Sequence, residues 1–357
     1  MKRIVLTGGG TAGHVTPHLA LIPHLRQRGW EVHYLGTQDG IERQLVGSQL
    51  PYYPISAGKL RRYFSWRNLS DPFRVIKGVA DAYRHLRRIQ PSIVFSKGGF
   101  VAVPVSLAAW LLRIPVILHE SDLTPGLANR LCAPFARKLC VAFPDSLNYL
   151  KGGAARKAVV TGTPIREELL KGSREKGLAI CGFSDRRPVL LVIGGSLGSA
   201  LLNRTIRENL AQLTGRYQII HICGRGNLEP EMKSPGYYQL EYAGEELPHL
   251  LAAADLVLSR AGANVIVELV ALAKPNVLVP LSRRASRGDQ ILNAASFARQ
   301  GLSLVIQEEE LNGKVLHETL GELEKDRERF IAAMQSSPIK DGTSKILNLI
   351  EEEARRG

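Results

Sequence analysis

Two glycine-rich segments, each directly after a short apolar run, are the first features of the sequence that could do chemistry. One covers residues 7–14 and reads TGGGTAGH, and the other covers residues 194–199 and reads GGSLGS. Glycine lets the backbone approach a ligand closely, and a helix that follows offers free N–H groups with a partial positive charge. Each segment therefore suits a phosphate or carboxylate group. The alternative for each is a tight turn from strand to helix.

A third segment, residues 256–268, combines an apolar run with Arg260, Gly262 and Glu268. The run predicts a strand, and the glycine predicts a turn into a helix that carries Glu268 in its second turn. The helix start offers N–H groups to an anion, and Arg260 adds positive charge. A carboxylate such as Glu268 can accept hydrogen bonds from both ribose hydroxyls, and the amide of Gln290 can bind sugar hydroxyls. Alone, Glu268 would be a solvated helix residue, but the combination favours a nucleotide-sugar site.

A nicotinamide dinucleotide fits the first glycine segment poorly. The G-x-G-x-x-G fingerprint does not align around Thr11, and it requires an acid about 20 residues later, at the end of the second strand. That strand ends at residues 35–37, and Asp39 lies beyond it. We expect no cofactor.

We also expect no metal site. The sequence contains no Asp-x-Asp pair, which metal-dependent sugar transferases use to hold a divalent ion on the diphosphate. Its four cysteines form no C-x-x-C pair, so they are interpreted as buried thiols. Helix N-termini and cationic side chains must then stabilise a leaving diphosphate.

The elements around these segments alternate between strands and helices. The length of 357 residues suits two domains, and 45% hydrophobic with 22% charged residues is ordinary globular composition. The predicted strands are residues 4–6, 32–35, 93–96, 116–119, 139–142, 189–193, 219–222, 256–259, 277–280 and 304–306. The predicted helices are residues 17–27, 73–88, 103–112, 126–132, 200–213, 247–254, 265–273 and 290–298. Apolar strands that alternate with helices indicate α/β domains with doubly wound parallel sheets. We expect an N-terminal domain over residues 1–163 and a C-terminal domain over 164–340, with a final helix in 341–357 packed back on the first domain.

The positive charge is confined to the N-terminal half. The formal net charge is +14; residues 1–163 carry 22 Lys and Arg against 8 Asp and Glu, whereas residues 164–357 carry 25 of each. We call residues 59–67 (KLRRYFSWR) the basic aromatic segment, and Trp110 lies in a similar setting. Cations interleaved with aromatic side chains suit an anionic membrane surface. The membrane residues expected are Leu60, Arg61, Arg62, Phe64, Trp66, Arg67 and Trp110. A solvated loop is the alternative, and without a recognised motif we expect no nucleic acid.

The segments above resemble one family along nearly the whole chain. The residues that carry the resemblance are 7–15, His119-Glu120-Ser121-Asp122, residues 125–129, residues 194–198, and residues 260–263 with Glu268. They are similar to the bacterial peptidoglycan transferases that convert lipid I to lipid II with UDP-N-acetylglucosamine. The resemblance implies a GT-B fold, with two Rossmann-like domains around a cleft. It also implies an inverting, metal-independent transfer at the cytoplasmic face of the membrane, by a peripheral protein.

The resemblance further implies roles for particular residues. The donor UDP-N-acetylglucosamine would lie mainly on the C-terminal domain, with Ser196 near the diphosphate, Gly244 at the uracil, Glu268 at the ribose and Gln290 at the sugar. The other residues implied in donor binding are Thr11, Ala12, Gly13, Asp122, Arg166, Gly262 and Ala263. The sequence departs from the family at three positions. Asp122 stands where Asn is frequent, Ala12 where Gly is frequent, and Asp289 where the first glutamine of a Gln-Gln pair is common.

An inverting transfer needs a base to accept the proton of the acceptor hydroxyl. His14 is the first candidate, because it follows the first glycine segment and an ordinary imidazole pKa of about 6.5 suits the task. Alternatively, His14 caps a helix or binds a phosphate. Glu120 and Asp122 are rival bases. We expect His119 to be structural, at a strand end, and His18 and His24 to lie on the surface of the first helix.

Several functions remain open from the sequence. The first is transfer of N-acetylglucosamine to lipid I, the undecaprenyl-diphosphate acceptor. A UDP-sugar-dependent diacylglycerol glycosyltransferase would share the fold. A UDP-N-acetylglucosamine 2-epimerase would leave the basic aromatic segment unexplained. A non-catalytic nucleotide-sugar sensor is disfavoured by His14, Glu268 and the two glycine segments.

Overall fold

A computed structural model describes residues 2–58, 67–195, 197–339 and 341–356, without the side chains of residues 67–72. The chain forms two compact units. Unit 1 comprises residues 1–165 and 341–357, and unit 2 comprises residues 166–340. The change from unit 1 to unit 2 therefore falls two residues after the domain boundary expected from the sequence.

Unit 1 is built on a sheet whose described strands are all parallel. The order across the sheet is β3-β2-β1-β4-β5-β6-β7. The strands are β1 (Lys2–Thr7), β2 (Trp30–Gly36), β3 (Tyr52–Pro54), β4 (Ile93–Ser96), β5 (Val116–Glu120), β6 (Lys138–Val141) and β7 (Ala158–Val160). Neighbouring residues of a strand face opposite sides of a sheet. Accordingly, Val5 and Val94 join one buried cluster while Leu6 and Phe95 join the other.

Helices cover both faces of this sheet, as an apolar parallel sheet requires. They are α1 (Thr16–Gln27), α2 (Ile41–Val46), α3 (Arg67–Ile89), α4 (Ala102–Leu111), α5 (Leu127–Cys132) and α6 (Gly152–Lys157). Each β-to-α connection leaves the carboxyl end of a strand. The loops after β1, β2, β4 and β5 therefore gather at one edge of the sheet.

Unit 2 repeats the same architecture. The order of its described strands is β10-β9-β8-β11-β12-β13, and again all neighbours are parallel. The strands are β8 (Val189–Ile193), β9 (Gln218–Ile222), β10 (Tyr237–Leu240), β11 (Leu256–Ser259), β12 (Asn276–Leu278) and β13 (Leu304–Val305). The helices are α7 (Arg174–Cys181), α8 (Ala200–Glu208), α9 (Leu210–Arg216), α10 (Leu247–Ala253), α11 (Ala263–Ala271), α12 (Asp289–Arg299), α13 (Gly313–Lys325) and α14 (Arg327–Ser336). The predicted fold class, two doubly wound parallel-sheet domains, is confirmed.

The C-terminal helix α15 (Thr343–Arg355) lies in unit 1. Its residues Ile346, Leu347 and Ile350 are buried in the cluster that contains Leu21 and Leu25 of α1. The start of the helix is fixed by one carboxylate. Oδ1 of Asp341 accepts hydrogen bonds from the backbone N–H of Thr343 and of Ile165, both at 3.0 Å. This side chain thus ties the two points where the chain leaves and re-enters unit 1.

The differences from the predicted elements have local causes. The prediction missed β3, β7 and β10, three short strands at or near the sheet edges, where a weak apolar pattern suffices. It also merged α8 and α9 into one helix over residues 200–213. The structure interrupts that helix at Asn209, whose side-chain amide donates to the carbonyl of Thr205 at 2.8 Å. Asparagine competes in this way with the helical backbone.

Candidate functional site

The loops that carry the candidate residues of unit 1 meet at one point of the sheet. Thr7 at the end of β1 pairs with Ser96 at the end of β4, and Ser96 pairs with Leu118 of β5. Strand β1 also pairs with β2 on its other side. The chain therefore winds in opposite directions from β1, and such a switch point is where doubly wound sheets bind ligands.

The first glycine segment is held by a side chain that sequence analysis missed. Glu42 is fully buried, and its carboxylate accepts hydrogen bonds from the Gly10 N–H at 3.3 Å and from the Thr37 N–H at 2.9 Å and hydroxyl at 2.6 Å. A Cβ on Gly9 would lie 2.5 Å from this carboxyl group. Gly10 has φ +90°, a conformation that side chains disfavour. The segment therefore needs its glycines to pack on Glu42. In the sequence, Glu42 could have been noticed as an acid just beyond the second strand. The prediction considered only Asp39 there, because it tested this region against the dinucleotide fingerprint.

A pocket of about 430 Å³ opens beside this segment. Gly10 and Phe100 line one part of it, residues 37–41 line another, and Arg74 of α3 contributes a cation. The pocket lies at the carboxyl ends of β1 and β2. The loops that follow these strands and the guanidinium group of Arg74 therefore line the same space. Such a pocket suits an anionic ligand.

His14 lies in a short 3₁₀ turn, Ala12–His14, at the end of the first glycine segment. Its Nδ1 lies 2.9 Å from the hydroxyl of Thr11, and its side chain is partly exposed. A base that acts through Nε2 requires the tautomer in which Nδ1–H donates to Thr11. Thr11 and Gly13 are exposed and Ala12 is partly exposed, so the structure brings the four predicted residues together.

The expectation that His18 lies on the surface is wrong. His18 is fully buried between α1 and the sheet, and its Nδ1 lies 3.2 Å from the hydroxyl of Tyr34. That hydroxyl donates to the carbonyl of Gly8 at 2.7 Å, so Nδ1 of His18 carries the proton that the oxygen accepts. Burial, reinforced by the charge of Lys97, lowers the pKa of His18 well below its usual value. The helical period placed His18 on the inner face of α1, whereas His24 is partly exposed.

His119 at the end of β5 is structural, as expected. Its Nε2 donates to the carbonyl of Gly162 at 2.8 Å, and its Nδ1 accepts from the Nζ of Lys97 at 2.7 Å. Burial and the Lys97 charge lower the pKa of His119, although the bond to Gly162 opposes them. The ring therefore stays neutral. Lys97, directly after β4, was not singled out from the sequence.

The two rival bases differ in their surroundings. Glu120 is 8% exposed, and its carboxylate accepts three hydrogen bonds: from Asp122 N at 3.1 Å, from Gly126 N at 2.8 Å and from Asn129 Nδ2 at 3.0 Å. Burial and the neighbouring Asp122 raise the pKa of Glu120, against the effect of these bonds. Asp122 is partly exposed on the loop that Glu120 organises.

The second glycine segment joins β8 to α8 in unit 2. Gly195 has φ +92°, and a Cβ at this position would meet no atom within 4 Å, so the backbone faces open space. Ser199 caps α8 through its hydroxyl, which accepts from the Leu202 N–H at 3.3 Å. Ser196, predicted near a diphosphate, lies outside the described residues.

Glu268 and Arg166 form the central polar pair of unit 2. Glu268 lies one turn into α11, and its Oε1 is 3.4 Å from Nη2 of Arg166. Their side chains are 15% and 28% exposed. Burial raises the pKa of Glu268, while the guanidinium group of Arg166 lowers it. Gly262 caps the start of this helix, where an added Cβ would meet nothing within 4 Å, and Ala263 follows it. Arg166, Gly262, Ala263 and Glu268 therefore lie around one helix start.

Three further predicted residues of unit 2 are engaged by the protein itself. The amide oxygen of Gln290 accepts from the Leu281 N–H at 3.1 Å, which leaves this side chain to act toward a sugar as a donor. Gly244 is exposed, and its N–H donates to Glu246 at 3.2 Å. The expectation that Arg260 adds charge for an anion is wrong, because its guanidinium group is buried 2.6 Å from Glu308 and 2.7 Å from the Ser199 hydroxyl.

Exposed apolar side chains occur on two neighbouring helices of unit 1. Trp110 and Leu111 of α4 are each 52% exposed, and Phe73 and Ile76 of α3 are 75% and 67% exposed. Helices α3 and α4 pack against each other. The predicted membrane residues Leu60, Arg61, Arg62, Phe64 and Trp66, and the side chain of Arg67, lie outside the described part of the chain. Phe73 and Ile76 were missed because the prediction ended at the basic aromatic segment.

The described residues contain neither a cluster of metal ligands nor a membrane-spanning helix. Within residues 2–58, 67–195, 197–339 and 341–356, no group of three or more His, Cys, Asp or Glu side chains could hold a metal ion. Over the same ranges, no helix has the length and apolarity that crossing a membrane requires.

Both halves of the chain match domains of one known protein family. Residues 4–141 match the glycosyltransferase family 28 N-terminal domain, and residues 189–350 match the C-terminal domain of that family. The second match runs into α15, so it spans elements of both units.

Individual proteins match more closely. A Clostridium tetani protein is 56% identical over 353 residues, 98% of each chain, and a Clostridium kluyveri protein is 56% identical over 354 residues, 99% of each. Both are named UDP-N-acetylglucosamine--N-acetylmuramyl-(pentapeptide) pyrophosphoryl-undecaprenol N-acetylglucosamine transferase. The crystal structure of Acinetobacter baumannii MurG superposes with a TM-score of 0.77 at 28% identity, over 99% of this chain and 100% of that one. The chain belongs to glycosyltransferase family 28.

Proposed function

We propose that this protein transfers N-acetylglucosamine from UDP-N-acetylglucosamine to the C4 hydroxyl of the N-acetylmuramyl sugar of lipid I, which forms lipid II for the bacterial cell wall. Relatives named for this reaction match the chain over 98–99% of its length. The observation that carries the proposal is the Arg166–Glu268 pair beside the open start of α11. A carboxylate for the ribose hydroxyls and a helix start for the diphosphate then occur within one site.

Donor binding is assigned to unit 2. Glu268 has one oxygen on Arg166, and the remaining acceptor positions of its carboxylate can bind ribose hydroxyls. The helix starts at Gly262 and Ser199, with the open backbone at Gly195, supply N–H groups for the diphosphate. We assign Ser196 to the diphosphate and Gly244 to the uracil on the family pattern alone. Gln290 would donate its amide N–H to a sugar hydroxyl.

Acceptor activation is assigned to unit 1, with His14 as the base. The acceptor oxygen loses its proton to Nε2 of His14 as it bonds to C1 of the donor sugar, and the bond from C1 to the diphosphate oxygen breaks. The pair of electrons from that bond leaves with UDP, and attack on the face opposite UDP inverts C1. Glu120 is the weaker candidate because three N–H donors already use its carboxylate. Asp122 remains the rival base. Thr11, Ala12 and Gly13 would contact the donor from the first glycine segment.

We further propose that the transfer is independent of metal and takes place at the cytoplasmic face of the membrane. Cationic side chains and helix starts would carry the charge of the leaving UDP. The net charge of residues 1–163 and the exposed Trp110, Leu111, Phe73 and Ile76 support peripheral attachment to an anionic membrane. The pocket beside Gly10, with Arg74, would face the anionic head of the acceptor.

The test incubates the protein with UDP-N-acetylglucosamine labelled in the sugar, a soluble lipid I analogue, and EDTA. Label should appear in the acceptor product in equal amount to the UDP released, and EDTA should have no effect. Glu268→Ala should lower the signal at low donor concentration by one to two orders of magnitude, whereas Glu309→Ala, at an exposed acid of the same unit, should leave it unchanged. Release of UDP without a labelled acceptor product would refute the acceptor assignment. Loss of activity in EDTA that magnesium restores would refute metal independence.

A further inference from the structure

The carboxylate of Glu42 joins the loop after β1 to the loop after β2. Glu42 lies in the first turn of α2 and is fully buried. Its Oε1 accepts hydrogen bonds from the N–H of Thr37 at 2.9 Å and from the hydroxyl of that residue at 2.6 Å. Its Oε2 accepts from the N–H of Gly10 at 3.3 Å. Each oxygen therefore serves a different loop, and the side chain bridges the two.

The surrounding backbone leaves room for this side chain at three glycines. A Cβ on Gly9 would lie 2.5 Å from the carboxyl carbon of Glu42, and a Cβ on Gly36 would lie 2.8 Å from its Cγ. A Cβ on Gly40 would collide with the same carboxyl group. Packed side chains do not approach one another this closely, so the Glu42 side chain fits only while these positions are glycine. The carboxylate is thereby held in one place.

The first glycine segment has a second anchor nearby. The hydroxyl of Tyr34, on β2, donates to the carbonyl of Gly8 at 2.7 Å. The bond from Gly10 to Glu42 follows two residues later. Two side chains from neighbouring elements therefore fix residues 8–10 from the side of β2 and α2.

The position of His14 depends on the residues that follow Gly10. The backbone N–H of His14 donates to the carbonyl of Thr11 at 3.1 Å, and its Nδ1 lies 2.9 Å from the hydroxyl of Thr11. Thr11 in turn follows Gly10 directly. A displacement of Gly10 would therefore carry Thr11 and the imidazole ring with it.

We propose that Glu42 is a positioning residue for the transfer, which fixes Gly10 and, through it, Thr11 and His14. Gly10 and Thr37 also line the pocket beside the first glycine segment, so the same bridge sets the distance between two of its walls. Glu42 itself is buried and acts through these residues, without contact to a substrate. This inference rests on the proposed function in taking the first glycine segment as the part that acts on the acceptor.

The bridge can be tested without activity by NMR of protein labelled with ¹⁵N-glycine. A carboxamide offers one accepting oxygen where a carboxylate offers two, so Glu42→Gln cannot accept from both loops. Thr37 presents two donors and Gly10 one, so the amide oxygen should turn to Thr37 and leave the Gly10 N–H without its acceptor. The Gly10 amide proton should then shift upfield, and Glu42→Ala, which removes both oxygens, should shift it at least as far. A Gly10 amide that is unchanged in both variants would overturn the proposal.

Kinetics separates positioning from general stability. Glu42→Gln should lower kcat by about tenfold to a hundredfold, because misplacement of a reacting group by about 1 Å can cost that much. The dissociation constant of UDP-N-acetylglucosamine should stay at the wild-type value, since the donor is assigned to unit 2. The matched control is Glu353→Gln, at a buried acid of unit 1 that lies 3.3 Å from Arg356. This control should lower the melting temperature at an unchanged kcat, and the same result for Glu42→Gln would refute the positioning role.

A double-mutant cycle in kcat tests whether Glu42 acts through His14. The loss caused by Glu42→Gln should largely disappear in the His14→Ala background, where no imidazole remains to be positioned. Losses that multiply independently would overturn this route. If the wild-type protein transfers no sugar, the proposed function fails, whereas the Gly10 amide still decides whether Glu42 holds the segment.

Discussion

Acid should destabilise unit 1 through its buried histidines. His18 and His119 are held neutral, with pKa values well below the usual 6.5, because burial disfavours the imidazolium form. On unfolding, each ring can take up a proton once the pH falls below about 6.5, so stability decreases with falling pH. Between about pH 7.5 and pH 5.5, each histidine lowers the free energy of unfolding by about 1.4 kcal/mol. The two together contribute about 2.7 kcal/mol, a large fraction of the stability of a typical domain.

Other groups of unit 1 also change the pH dependence. Burial lowers the pKa of His33, which adds to the loss, whereas the raised pKa of Glu120 acts in the opposite sense. A comparison between variants isolates one histidine from these effects. His18→Asn keeps a donor near the Tyr34 hydroxyl but cannot take up a proton. The change in unfolding free energy between the two pH values should therefore shrink by about 1.4 kcal/mol.

Tryptophan fluorescence makes the measurement specific to unit 1. All three tryptophans of the sequence, Trp30, Trp66 and Trp110, belong to residues 1–165. Urea unfolding followed by this signal at the two pH values gives the free energies, with His24→Asn on the same helix as the matched control. Equal pH dependence in wild type and His18→Asn, with a normal control, would refute a neutral buried His18.

Three further outcomes are expected. Glu268→Ala should weaken donor binding by one to two orders of magnitude, because a hydrogen bond to a charged group contributes about 1.5–3 kcal/mol. Glu268→Gln should weaken it less. Calorimetry that gives both variants the wild-type donor affinity would show that Glu268 does not contact the ribose. His14→Ala should lower turnover by about 10²–10⁴-fold at nearly constant donor affinity; a raised donor KM with normal turnover would instead make His14 a binding residue. Replacing the arginines of the basic aromatic segment by Ser should weaken sedimentation with anionic vesicles and flatten its salt dependence. Replacing its Phe and Trp by Ser should weaken binding at an unchanged salt slope, and two unaffected variants would contradict membrane docking.

The sequence predicted the fold well because the central strands of both sheets are largely buried. Every predicted strand has a counterpart in the structure, since the apolar run that marks a buried parallel strand depends only on local composition. The edge strands β3, β7 and β10 were missed because a strand with one neighbour needs little apolar character. The break at Asn209 was missed because propensity alone does not show that this side chain bonds back to Thr205.

For the candidate site, the sequence predicted the local turns but not the long-range contacts. Both glycine segments and the start of the Glu268 helix form the predicted turns after a strand, because glycine reveals such backbone conformations in the sequence. Arg260 has the same charge whether it faces a ligand or an internal partner. Its buried pairing with Glu308 depends on a contact across 48 residues that no local pattern encodes. The same limit applies to Glu42, which bonds to Gly10 across 32 residues.

Lys97 shows why a contact between distant positions is visible only in the fold. Taken alone, a lysine after an apolar strand predicts a solvated loop. Strand order β4-β5 places the residues that follow Ser96 beside those that follow Leu118, so Lys97 and His119 become neighbours. Burial then excludes water from the ammonium group, and His119 and Ser121 accept its hydrogen bonds instead. Lys97 and the end of β5 are therefore one feature of the site, and a change at either position has to be interpreted together with the other.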